Sequence, residues 1–171
     1  MEKLSPPLRY GLFAGVSTLA LMLIAYALDP RLMLSPGVVW GSLLFYLYFM
    51  ARAIRESALA WQGEGRVPFQ TLLRPAFQVY LVATVLYYAF YYLMFNVFDP
   101  GLAVIQKTMV LEQLDQMSGL FGQERVEDMK RALEADDLRV TFSRIMTSLL
   151  QSLIGGFLLS LIVAGIMRSR Y

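Results

Sequence analysis

The side chains with chemistry to offer are carboxylates, arginines and tyrosines, because the chain contains no histidine and no cysteine. Their absence removes the commonest metal and haem ligands, thiol nucleophiles, disulfides and Ser–His or Cys–His catalysis. Carboxylate-only chemistry survives, for example a Mg²⁺ or Ca²⁺ site. Asp99, Asp136 and Asp137 are the acids that could meet at one membrane interface, but helix stops and caps account for all three. Four arginines, Arg52, Arg55, Arg66 and Arg74, flank one short loop between two apolar runs. They are the candidate contact for a phosphate-bearing lipid or a partner; charge-driven orientation explains them more simply. A third group is aromatic. Tyr80, Tyr87, Tyr88 and Tyr91, with Thr84 and Phe95, share one helical face and suit either a quinone-like ligand or an aromatic interface belt. No catalytic, cofactor or metal site follows from these residues, and the expectation is a protein that is not an enzyme.

The elements that carry them are membrane spans. No formal charge occurs between Arg9 and Asp29, Arg31 and Arg52, Arg74 and Asp99, or Arg144 and Arg168. These gaps hold 19, 20, 24 and 23 residues, and crossing about 30 Å of hydrocarbon takes roughly 20. Hydrophobic residues make up 57% and charged residues 16%, with a mean hydropathy of +0.53. The fold class expected is all-α: one membrane domain over 1–171, with spans at about 10–28, 37–54, 75–98 and 145–167. The net charge of +2 does not point to nucleic acid, since the basic residues flank spans instead of forming a run. The first run exceeds a signal-peptide core and ends in Leu28-Asp29-Pro30, so it reads as a retained helix.

Basic residues concentrate in 1–9, 52–74 and 168–171, which predicts cytoplasmic N- and C-termini. Spans one and three both close on Asp-Pro, Asp29-Pro30 and Asp99-Pro100, a plausible helix stop because proline pushes its predecessor away from helical angles. Span one carries Gly11-Leu-Phe-Ala-Gly15, a close-approach spacing that serves either a dimer seam or packing within the bundle. Span two is expected to run on towards Gln62. Pro68 suits the first turn of the next helix, inside which Pro75 removes one hydrogen bond.

In span four Ser148, Ser152, Gly156, Ser160 and Ala164 recur every four residues. This is the most specific internal signal, and it predicts a helix-packing stripe. Between spans three and four, residues 101–135 read as two amphipathic helices outside the cytoplasm. Val110, Leu114, Met117 and Phe121 share one face, and Val126, Met129 and Leu133 share another. Asp136 or Asp137 is the expected cap of the helix entering span four.

The layout resembles the bacterial membrane family called domain of unknown function 4199, common in Bacteroidota. The residues that carry the likeness are the basic stretch Arg52–Arg66, the re-entry Gly65-Arg66-Val67-Pro68-Phe69, Asp99-Pro100, the amphipathic insert and the glycine-bearing last span. The resemblance implies a Gram-negative inner membrane and brings no activity. It suggests a polyprenyl-phosphate glycosyltransferase as partner. Three functions compete: an accessory or scaffold subunit of a membrane complex, partnered by another membrane protein or a second copy; a small transporter or channel component; and a carboxylate enzyme acting on lipid. The first is expected, because ion-coupled carriers use charged groups inside their spans. Here Gln78, Asn96 and Gln151 are the strongest polar groups there.

Overall fold

The computed structural model describes residues 5–63, 66–116, 119, 122–135 and 140–169. Among them are seven α-helices: α1 (Pro6–Leu28), α2 (Pro30–Met33), α3 (Pro36–Leu59), α4 (Phe69–Leu93), α5 (Leu102–Gln116), α6 (Gln123–Ala135) and α7 (Phe142–Arg168). A π-helical turn, Met94–Phe98, extends α4. Four stretches, α1, α3, α4 with its π turn, and α7, are long and apolar enough to cross a bilayer. The chain is therefore a multi-pass membrane protein. Four crossings bring both termini to one end of the bundle and α5 and α6 to the other, the insert end.

Proline and short polar side chains set the helix starts. Pro6, Pro30 and Pro36 occupy first turns, where a missing N–H costs nothing. The Ser35 hydroxyl accepts from Val38 N, and the Thr141 hydroxyl accepts from Arg144 N at 3.3 Å. Thr141, and not Asp136 or Asp137, is thus the cap of the last span; a cap must directly precede the first helical residue, and both acids lie upstream, outside the described residues. Pro68 stands just before α4, which continues through Pro75 without interruption. α3 stops at Leu59, short of Gln62.

Both Asp-Pro stops are real and alike. Asp29 is extended (φ −160°) and accepts Arg31 N at 2.8 Å. Asp99 also leaves the helical region (φ −147°, ψ 85°) and accepts Gly101 N at 3.0 Å. Each carboxylate satisfies a backbone donor just past the proline, as Asx turns do.

α4 is the axis of the bundle, in close contact with α1, α3 and α7, whereas α1 and α7 do not meet among the described residues. Two glycines explain its closeness to α1. A Cβ on Gly11 would stand 2.7 Å from Val82 Cβ and 3.3 Å from the Val79 carbonyl, and one on Gly15 would stand 2.5 Å from Leu86 Cδ1. The Gly11–Gly15 spacing is therefore used inside this chain. Ala14, Ala53, Ala76, Ala83 and Ala164 continue the small-residue core, with Met50, Ile54 and Leu72 filling the wider layers. Thr18 is fully buried, and among the described residues its hydroxyl meets no partner at hydrogen-bonding geometry.

A second cluster closes the insert end: Met22, Met33, Met94, Phe95 and Leu102. Fully buried Leu102 anchors the start of α5. α6 faces inward along Val126, Lys130 and Leu133 instead of Val126, Met129 and Leu133. Lys130 pairs with Asp115 of α5, which turns that side of the helix inward and leaves Met129 half exposed. Met117 and Phe121, expected on the face of Val110 and Leu114, lie outside the described residues.

Candidate functional site

The tyrosines of α4 divide between two tasks. Tyr80 belongs to packing: its hydroxyl is 2.7 Å from Ser152 Oγ, and its ring covers Gly156 so closely that a Cβ there would stand 2.0 Å from Tyr80 Cε1. Tyr88 donates to the Ser148 carbonyl at 3.1 Å. The stripe on α7 is thus turned onto α4. Gly156, Ser160 and Ala164 are buried and Ser148 and Ser152 half-buried, while the Ser160 hydroxyl returns to the Gly156 carbonyl at 2.7 Å. Contact area and hydrogen bonds must hold this pair together, since apolar burial gives little drive in lipid.

Tyr87 and Tyr91, at the insert end of α4, form an aromatic wall. Tyr87 stacks on Tyr91 at 6.1 Å, and Tyr91 on Phe95 at 4.2 Å. Tyr91 donates to Gln106 Oε1 at 3.1 Å and so ties α4 to α5. The π turn completes the frame. Asn96 Nδ2 donates to the Tyr92 and Val140 carbonyls, both at 3.0 Å, which fixes the chain entering α7. Tyr26 of α1 donates to Asp99 Oδ2 at 2.9 Å. π turns recur where a helix is locally adapted to a site.

These contacts surround a cavity of about 490 Å³, within the ordinary range for small-molecule pockets of roughly 300–1,000 Å³. Met22, Leu34, Val39 and Ile145 give it apolar walls from α1, α3, α7 and the turn between α2 and α3. Tyr87, Gln106, Gln113, Lys107 and Arg144 give it polar ones. Among the described residues no carboxylate lines it. Asp99 instead closes the end of span three and holds Tyr26, and Asp136 and Asp137 lie outside the described residues. No three acids gather as metal ligands among the residues described.

Arg52, Arg55, Arg66 and Arg74 are all exposed at the opposite end, two on the last turns of α3, one in the loop and one in the second turn of α4. No described carboxylate pairs with them. Nearby, Arg9 of α1 bridges to Glu56 of α3 at 2.8 Å, an exposed pair worth at most about 1 kcal/mol.

The cavity was not read from the sequence, yet two signals for it were present. Lys107 is the only basic residue between Arg74 and Arg125, and it stands on the same helical line as Val110 and Leu114. A lone cation on the apolar side of an amphipathic helix is a polar group aimed inward. Arg144 precedes Ser148 by four residues, in register with the stripe, where span four meets the insert. A family model described as protein of unknown function (DUF4199) matches residues 9–169. The chain belongs to that family. No curated protein and no solved structure matches it. Membership in DUF4199 covers the bundle and the insert together, so the cavity is framed entirely by residues within the family match.

Proposed function

We propose that this DUF4199 protein is a non-enzymatic accessory subunit of a membrane complex, built to hold a helix of another membrane protein against α7. The observation that carries this reading is the outward face of α7. Gln151 is exposed there and its side chain makes no hydrogen bond among the described residues. One turn on, Gly155 has nothing within 4 Å of where its Cβ would be. Gln151 lies about 6 Å along the helix from its midpoint, well inside hydrocarbon. A carboxamide facing lipid at that depth is costly, and a neighbouring helix that accepts its hydrogen bonds removes the cost. Gly155 supplies the close approach such a helix needs. The polyprenyl-phosphate glycosyltransferase suggested by the family resemblance is the first partner to test.

Purification from native membranes in mild detergent is expected to recover a stoichiometric second membrane protein. Gln151→Leu and Gly155→Ile should each cut that recovery by about tenfold, the loss of roughly 1.4 kcal/mol, with thermal stability unchanged. Recovery that is unaffected by both substitutions, or solute flux by the isolated protein in vesicles, would overturn the reading.

The same reading takes the membrane to be a bacterial inner membrane, with the termini and the Arg52–Arg74 loop cytoplasmic and the α5–α6 insert outside. The excess of basic residues flanking the terminal end supports this orientation. The thiol-free sequence makes the test simple. A single cysteine at Gln113 or Lys130 is expected to react with a membrane-impermeant maleimide added outside spheroplasts. Reaction only after the membrane is opened would invert the topology.

A further inference from the structure

We infer that an anionic glycerophospholipid lies on the outward strip of α4, its phosphate held by Arg74, its ester oxygens by Gln78 and one chain along Leu81, Val85 and Ala89. The inference does not depend on the accessory reading, because the strip is on α4 and the helix-docking face is on α7. Gln70, Arg74, Gln78, Leu81, Val85 and Ala89 follow one another at spacings of three and four residues, so they share one ridge of the helix. All are exposed except half-buried Leu81. The strip is bounded on both sides. α1 is pressed onto α4 at Val82 and Leu86 through Gly11 and Gly15. α7 meets α4 at Phe77, whose ring stands edge-on to Phe157 at 5.7 Å, and at Tyr88. In helical register the strip falls between these two contact lines. Since α1 and α7 do not meet among the described residues, α4 is the floor of a cleft between them.

A ring contact fixes the depth. Tyr46 of α3 meets Tyr80 at 5.4 Å between centroids, and Arg52 and Arg74 each lie six residues from it towards the terminal end. The two arginines therefore stand at one level, about 9 Å beyond the contact. Gln78 is about 6 Å nearer the midplane than Arg74, and the polar layer of one leaflet is about 5–8 Å thick. Arg74 and Gln78 thus span that layer, from phosphate to ester carbonyls. Among the described residues Arg74 has no ion pair and Gln78 no side-chain hydrogen bond. An exposed arginine at a span end is satisfied by water and bulk headgroups, as Arg52 is beside exposed Tyr48. A carboxamide one turn deeper needs acceptors, which lipid tails do not have. Ester carbonyls supply them. Beyond Gln78 the strip turns apolar. Cation, amide and aliphatic side chains follow the order of phosphate, ester and chain in one lipid. A soluble phosphate would use Arg74 and leave the rest of the strip bare.

The test uses the full chain in nanodiscs of phosphatidylcholine, with a low mole fraction of phosphatidylglycerol carrying a diazirine on one chain as the probe. Cross-links mapped by mass spectrometry are expected to concentrate on Leu81–Ala89. Unlabelled phosphatidylglycerol should abolish them, whereas inorganic phosphate should not. Arg74→Gln should cut the labelling about tenfold, as expected for a lost charge-assisted hydrogen bond. Gln78→Leu should cut it about threefold, the loss of a neutral one. Arg52→Gln, the same charge loss at the same depth, should have no effect. Labels spread evenly over the strip and the outward residues Leu44, Tyr48 and Ile162 would mean annular lipid only and overturn the proposal. Equal losses in Arg52→Gln and Arg74→Gln would reduce Arg74 to an anchor and overturn it too. So would equal competition by inorganic phosphate, or a strip left unlabelled because a protein helix covers it. If a variant fails to fold, the mapping and competition on the unmodified chain decide alone.

Discussion

Leucine in place of Gly156 is expected to destabilise the bundle by about 3 kcal/mol or more, read as unfolding in neutral detergent. Tyr80 stands where the new side chain must go, at 2.0 Å from the Cβ position, and overpacking alone costs about 1–3 kcal/mol. Moving the ring also breaks its hydrogen bond to Ser152, worth about 1 kcal/mol more. The adjacent glycine is the internal control. Gly155→Leu meets open space and gains about 1 kcal/mol of helix propensity at most, so the isolated protein should be as stable as before. Phe157→Leu gives up an edge-on contact with Phe77 at 5.7 Å on a half-exposed surface, a loss of about 1 kcal/mol. Equal losses at Gly155 and Gly156 would mean that the stripe is not the face turned to α4.

The two neighbouring glycines also mark what was legible in the sequence. A small residue every fourth position announces a close-packed face, and its register alone separates Gly156 from Gly155. It does not name the neighbour. Serine and glycine accept any helix, and only Tyr80, a protruding knob on the central span, selects α4. The same limit applies to Gly11 and Gly15, whose spacing served a second copy as well as Val82 and Leu86. Charge gaps located all four crossings because hydrocarbon excludes ions over a fixed thickness. The Asp-Pro stops were legible because proline restricts its predecessor locally.

Elements defined by contacts were not legible. The short α2 lies between two prolines and reads as a turn. The π turn differs from an α-helix by one residue in its hydrogen bonds, as Asp99 N to the Met94 carbonyl at 2.8 Å shows, and no residue type announces that shift. On α6, Met129 fits the apolar pattern as well as Lys130 does, and the ion pair with Asp115 decides which turns inward. The cavity combines both problems, since its lining comes from seven helices that no sequence period relates.

Asp99→Ala should give the second large effect, a loss of about 2–3 kcal/mol concentrated at the insert end. The carboxylate accepts from Tyr26 on α1 and from Gly101 N at the entrance to α5, and hydrogen bonds to a charged group are worth about 1.5–3 kcal/mol each when shielded from water. The first is only partly shielded and the second is exposed, which places the sum near the value of one. Asp29 is the matched comparison. It follows the same Asp-Pro pattern, but among the described residues its carboxylate holds only Arg31 N, a local cap whose loss costs about 1 kcal/mol. Asp29→Ala should therefore be milder, although both acids end a span and precede a proline. Asp99→Asn keeps an acceptor oxygen and should recover part of the loss, while Tyr26→Phe should reproduce the cross-helix share. Hydrogen exchange gives the decisive readout: amides of α5 should exchange faster in Asp99→Ala while those of α1 and α3 near Ala14 and Ala53 do not change. Equal destabilisation by Asp29→Ala and Asp99→Ala would reduce both to helix stops and remove the carboxylate as the tie between α1, α4 and the insert.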